Sequence, residues 1–324
     1  MLSDNGKYIS TLSCPLTYVD DKLFFSLVDY RNNLFTSNDP KKILEFYNGF
    51  ENKEQLIRWM EERPKGITTI YEVDGDKNII IVIPTSDYNG KYAKECKDNI
   101  YKGFHIIFVE SGLREDFYFN YAHNCNVGVR KAMEYNPKWV VLSNDDMIKI
   151  DEPDILRREL SVIKPVEQIM VLSKNKSINA NIAKLALSTI KRNLVYRFII
   201  SYGYDRIRLE RKFHVKYLVA ALNFPYNLLF RITISFPAVG DFAIFSFSIL
   251  NDLQTLFDER FINGGEDIDL SILIHNRKYK CQYRNYKINS IGRATLGRST
   301  ERSLRDIINM AYLNKKIENI YHSM

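Results

Sequence analysis

The chain has 324 residues, 45% of them hydrophobic and 26% charged. That composition is that of a folded globular protein rather than a disordered chain or a disulfide-stapled miniprotein, and fits one large folded unit with additions. The 46 Lys and Arg residues against 39 Asp and Glu give a formal net charge of +7, which favours an acidic partner such as nucleic acid, anionic lipid headgroups or a phosphate-bearing substrate.

The opening residues, MLSDNGKYIS, have no basic stretch leading into an apolar run, so no secretory leader is expected. The apolar run after Asp241 in DFAIFSFSIL has nine residues, well short of the roughly 18–20 needed to span a bilayer. A cytoplasmic protein is expected, at most peripheral at a membrane. Cys14, Cys96, Cys125 and Cys281 lie far apart with no C-x-x-C spacing, which suits reduced thiols better than a zinc site or a disulfide framework.

Residues 1–76 read as an N-terminal appendage, with short β-like runs such as KLFFSLVDY and one helix over DPKKILEFYNGFENKEQLIRWMEERP. Asp39 is placed to cap that helix, Pro40 to open it and Pro64 to stop it. From residue 77 a second, larger domain is expected to run to residue 324. NIIIVIPT (78–85), FHIIFVESG (104–112) and KWVVLSNDDM read as strands, alternating with helices over KYAKECKDNIYKG and EDFYFNYAHNCNVGVRKAMEYNP. Strands alternating with helices predict a mainly parallel, doubly wound sheet whose ligands bind beyond the carboxyl ends of the strands.

A helical, basic insertion is expected at about 155–235, interleaved with Tyr and Phe. Between Lys184 and Arg231 ten basic residues face only Asp205 and Glu210, a local charge of +8. This stretch is either a pair of amphipathic helices with a solvated basic face or a surface for peripheral contact with an anionic membrane. A nucleic-acid role has less support, because no recognisable nucleic-acid module accompanies it. Mixed α/β follows, through FDERFINGGEDIDLSILIHNRKYKCQYRNYKINSIG, and a helix over ERSLRDIINMAYLNKKIENIY closes the chain.

Three strand tips carry polar groups: Pro84-Thr85-Ser86, Glu110-Ser111-Gly112 and Asn144-Asp145-Asp146. In a parallel sheet they share one edge, where adjacent carboxylates are costly unless a cation or hydrogen-bond donors offset them. Mg²⁺ or Mn²⁺, held by one or two carboxylates together with substrate phosphates, would relieve the repulsion. The alternative is a solvated turn after a strand. For GGEDIDLS the alternative is a helix start with acids at its positive end.

The order IIIVIPT, IIFVESG, NVGVRKAMEYNPKWVVLSNDDM and FDERFINGGEDIDLSILIHNRKYK resembles the inverting, nucleotide-sugar-dependent glycosyltransferases of family 2, which have the A-type (GT-A) fold. The resemblance covers residues 78–150 and 236–285. It implies a GT-A-like, Rossmann-related α/β fold with a mostly parallel sheet flanked by helices. It also implies transfer of a sugar from a nucleotide-diphosphate sugar to an acceptor hydroxyl, with inversion and with Mn²⁺ or Mg²⁺ as cofactor. Carried over by position, Pro84, Thr85, Glu110, Asn126, Asn144 and Asp145 would contact the nucleotide sugar and Gly128 would match the glycine of the helix motif. Asp146 would hold the metal, and Glu266 with Asp267 would form the catalytic pair, Asp267 as general base. The acceptor is left open among glycan, lipid-linked and protein molecules. Three positions depart from the family pattern. Asn144 stands where an Asp is usual, Cys125 where an Arg is usual, and NSIGRATLG lacks the metal-binding His of many relatives. Competing functions are a sugar-phosphate nucleotidyltransferase, for which PTSDYNGKYAK is a poor phosphate loop, and a non-enzymatic binding protein that kept the fold.

Overall fold

The computed structural model describes residues 30–111, 118–164, 169–173, 179–181, 235–237, 239–291 and 300–322; the basic stretch 184–231 and Cys14 lie outside them. Residues 30–36 are helical. Helix α1 (Pro40–Asn48) starts as expected, with the Asp39 carboxylate accepting the Lys41 N–H at 2.9 Å and Pro40 in the first turn. The single helix expected over 39–64 is two. The Gly49 N–H closes α1 on the carbonyls of Glu45 and Phe46, and the Asn52 side chain then caps α2 (Lys53–Glu62) by accepting the Gln55 N–H at 2.9 Å. A glycine stop followed by an Asn cap gives the backbone partners that a continuous helix would otherwise supply.

The strands are β1 (Thr68–Val73), β2 (Asp76–Thr85), β3 (Phe104–Ser111), β4 (Trp139–Ser143), β5 (Met147–Lys149), β6 (Ile169–Ser173), β7 (Asn179–Asn181), β8 (Ser235–Pro237), β9 (Phe242–Ser246), β10 (Lys280–Arg284) and β11 (Ile288–Ser290). The remaining helices are α3 (Lys91–Glu95), α4 (Tyr121–Met133), α5 (Pro153–Ser161), α6 (Phe247–Leu253), α7 (Glu266–Asn276) and α8 (Thr300–His322). A π-helical turn, Cys96–Ile100, continues directly from α3.

Seven strands form one sheet in the order β1-β3-β2-β4-β9-β6-β10. Strands β2, β3, β4, β6 and β10 run one way, while β1 and β9 oppose them. The architecture is therefore α/β, a mixed and mostly parallel sheet flanked by helices. Ile79, Ile81 and Ile83 of β2 pack into one face with Phe104, Ile106 and Phe108, and Ile80 and Val82 pack into the other with Ala122, Cys125 and Val129 of α4. Burial on both faces explains why the strand reads as a continuous apolar run rather than an alternating one.

Strands β1 and β6 of the main sheet were not foreseen. TTIYEV becomes the antiparallel edge strand β1 on β3, and its half-exposed side chains give no apolar run to read. IMVLS, inside the segment read as a helical insertion, becomes β6 between β9 and β10, with Met170 and Val171 fully buried. Its neighbours lie far along the chain, so local sequence carried little sign of them.

Helix α4 lies against β2 and β3, and Gly128 permits the approach. A Cβ there would sit 2.4 Å from Val82 Cγ1 and 2.8 Å from Val109 Cγ2, both on rigid strands. Gly128→Ala is expected to lower stability by about 1–3 kcal/mol through overpacking. Urea unfolding checks it, and an unchanged midpoint would show that the helix can move away freely. A third core joins α1, α2 and α8, where Phe46, Tyr47, Trp59 and Met60 meet Phe261 and Ile308.

Candidate active site

The carboxyl ends of β2, β3 and β4 bring the three polar tips together. Thr85 and Glu110 are register partners on β2 and β3. Beyond β4, Asp145 and Asp146 are buried, 9% and 4% exposed. The Thr85 hydroxyl donates to Asp145 Oδ2 at 2.8 Å. Cys96, at the start of the π-helical turn, donates its thiol to the Asp145 carbonyl at 3.3 Å, so the turn braces the tip from behind. Burial first, and then the charge of Asp146, raises the Asp145 carboxyl above its usual range, with the Thr85 hydrogen bond opposing. Two adjacent, desolvated carboxylates suit a hard divalent ion that completes its shell with phosphate oxygens. Among the described residues, no group of three or more His, Cys, Asp or Glu is arranged to hold a metal by itself.

Pro84 is buried in β2 opposite Val109. Glu110 Oε2 accepts the Tyr88 N–H at 2.7 Å, and the Tyr88 ring stacks on Tyr71 with centroids 4.2 Å apart. Glu110 thus fixes the segment after β2 that walls this side of the site.

The second acidic pair stands at the start of α7. Gly265, at φ +91°, turns the chain into the helix, a backbone conformation that glycine adopts without strain. Glu266 is 7% exposed, and its Oε2 accepts no hydrogen bond among the described residues. Burial, with Asp267 beside it, pushes the Glu266 carboxyl up to about 8. Asp267 is half-buried, and its Oδ1 accepts the Ile268 N–H at 2.9 Å. Burial pushes it up to about 6, with Asp306 and Asp241 adding to the rise.

Asparagines hold the loop that presents this pair. Asn126 donates to the Phe257 carbonyl at 2.8 Å and to Glu259 Oε1 at 2.9 Å, and accepts the Phe257 N–H at 2.9 Å. Asn120 donates to the carbonyls of Glu259 and Phe261, while Asn309 of α8 both accepts from and donates to the Ile262 backbone. A primary amide has both donor and acceptor, so each one satisfies a loop backbone that has no helix or strand partner. Asn126, expected to touch the nucleotide sugar, has its amide bonded to this loop, and Gly128 lies where the helix packs on the sheet. His123, on the same helix, pairs with Glu259 at 2.7 Å.

Two residues that the sequence did not single out join the two acidic sites. The Tyr121 hydroxyl donates to Asn144 Oδ1 at 2.8 Å. Burial raises that hydroxyl well above its usual value, and Cys125, Glu266 and Asp267 add to the rise. Asp241, just before β9, accepts the Asn144 N–H on its carbonyl at 3.0 Å, takes the Ser290 hydroxyl on its carboxylate, and lies close enough to Asp267 to raise it. Neither residue belongs to a motif; only their tertiary neighbours mark them. Thr85, Glu110, Asn144, Asp145 and Asp146 therefore line the strand-tip half of the site, with Glu266 and Asp267 in the second half.

A shallow cleft of about 370 Å³ lies elsewhere, lined by Asp98, Lys102, Lys149, Glu152, Asp154 and Arg157 among others. Its acids and bases are largely paired with each other, as in Lys149–Glu152 and Arg157–Asp154, and it contains none of the strand-tip carboxylates. No described helix is long and apolar enough to cross a membrane. The chain matches no protein-family model and no curated protein.

Proposed function

We propose that the protein is a GT-A-like inverting glycosyltransferase that moves a sugar from a nucleotide-diphosphate sugar to an acceptor hydroxyl. The observation that carries this reading is the meeting of Asn144-Asp145-Asp146 with Glu266-Asp267, distant in the chain, through Tyr121 and Asp241 at the carboxyl ends of parallel strands. Ligands of such sheets bind at that edge.

In this reading Thr85 and Asp145 line the ribose and sugar side of the donor pocket, and Glu110 holds the wall made by Tyr88. Asp146, with Asp145 beside it, would hold Mn²⁺ or Mg²⁺. When bound, the cation supplies Lewis-acid stabilisation of the charge that develops on the departing diphosphate. Asp267 takes the proton of the acceptor hydroxyl as that oxygen attacks the anomeric carbon. A single displacement inverts that carbon.

Thermal unfolding with UDP- and GDP-linked sugars, each with and without Mn²⁺, tests the donor site. A ligand at a hundredfold its Kd adds about 2.7 kcal/mol to the native state. The midpoint is expected to rise only when metal and the right donor are present together, and Asp146→Ala to lose the rise. A flat response of the wild type to every donor would overturn the proposal in favour of a binding protein on the same fold.

A further inference from the structure

We infer that Tyr121 is a positioning residue that couples the Asn144-Asp145-Asp146 tip to the loop carrying Glu266 and Asp267, so that the two halves of the site are ordered as one unit. Its assignment to a glycosyl-transfer site rests on the function proposed above; the coupling itself rests on contacts alone.

Tyr121 is the first residue of α4 and is tied at both ends. Its backbone N–H donates to Asn263 Oδ1 at 2.8 Å, and Asn263 Nδ2 reaches the Phe119 carbonyl at 3.2 Å. Asn263 directly precedes Gly264-Gly265, the turn into Glu266. At its other end the hydroxyl donates to Asn144. The half-buried ring lies 6.3 Å from Phe257, which anchors the start of the same loop through Asn126. A rigid aromatic therefore spans the gap between the two acidic segments, with a hydrogen bond at each end.

The pairing also gives Asn144 a defined role. With its oxygen occupied by the tyrosine hydroxyl, the side chain offers its NH₂ as a hydrogen-bond donor. An aspartate there would add a third negative charge beside Asp145 and Asp146. In this arrangement Asn144 presents an amide, not a third carboxylate, beside Asp145 and Asp146.

Amide hydrogen exchange on the full-length protein tests this without any ligand. Tyr121→Phe keeps the ring and removes the hydroxyl. The amides of residues 144–147 are expected to exchange roughly five- to tenfold faster, as loss of one partly buried hydrogen bond implies, while the sheet amides of β2 and β3 keep their rates. A purely structural role would instead speed exchange throughout the fold. Asn144→Ala should give the same local change, and the double variant should add nothing further. Should Tyr121→Phe fail to fold, Asn144→Ala carries the test, with faster exchange expected at residues 121–124 and 263–267. Unchanged or globally accelerated exchange would overturn the coupling. In the same experiment, added Mn²⁺ with UDP- or GDP-linked sugar reports on the proposed function. Absent protection of the wild-type tip would count against glycosyl transfer and leave the coupling result standing.

Discussion

Glu266→Gln is expected to stabilise the protein at about pH 8.5 and to remove much of the fall in stability between about pH 5.5 and pH 8.5. The Glu266 carboxyl is raised to about 8 by burial and by Asp267, against an ordinary value of 4.5. Over that interval the native state holds a proton that the unfolded chain has already released. Stability from this group is thus fully present below the unfolded value and is lost as pH rises towards about 8. Each pH unit is worth about 1.36 kcal/mol and the loss ends near pH 8, so for this group the wild-type loss is on the order of 3 kcal/mol. Asp267, raised to about 6, contributes in the same direction but finishes earlier. The lowered carboxyls of Asp258, which Arg260 and Lys316 hold down, and Glu259, which Asn126 and His123 hold down, work the other way. Their stabilisation is complete before the interval begins and is lost only in acid. Urea unfolding of both proteins across this range is the measurement. Equal pH dependence in wild type and variant would mean that Glu266 reaches water and titrates normally.

The sequence revealed most where a segment's own residues determine its structure. Asp39 and Pro40 announced α1, and the two-sided apolar runs announced β2, β3 and β4 because burial on both faces leaves no polar positions. It revealed less where a tertiary partner decides. β1 is a half-exposed edge held by β3, and β6 is a short strand whose neighbours β9 and β10 come from the far end of the chain. Gly49 and Asn52 were visible as letters, but helical apolar spacing on both sides masked the break. At the candidate site the acids were legible because adjacent carboxylates after a strand are costly without a purpose. The bonds of Asn126 to the Phe257–Glu259 loop were not legible, because that loop lies more than 130 residues away in the chain. Tyr121 and Asp241 could not be found by pattern, since an isolated Tyr or Asp carries no signal until folding gives it neighbours.

If the protein transfers a sugar as proposed, Asp267→Asn is expected to reduce that transfer by about 10²–10⁴-fold, the range for loss of a positioned general base, or about 3–5 kcal/mol in the barrier. Environment separates the two acids of the pair. Glu266, the more deeply buried of the two and raised to about 8 by burial and by Asp267, favours keeping its own proton and is the poorer acceptor of another. Asp267, half-buried and raised to about 6, is ionised there yet more basic than a surface carboxylate. That is the tuning a base needs near pH 7, and pairs of acids with separated values divide acid and base roles in this way. The rate should therefore climb with pH through about 6 in the wild type, and the residual rate of the variant should lack that limb. Donor binding makes the test specific. Because the proposed base acts on the acceptor, Asp267→Asn should keep the metal-dependent midpoint rise that Asp146→Ala loses. A variant that keeps more than about a tenth of the wild-type rate would move the base elsewhere, contrary to the loss expected for a general base. One that loses the donor response together with activity would place Asp267 in the donor pocket instead.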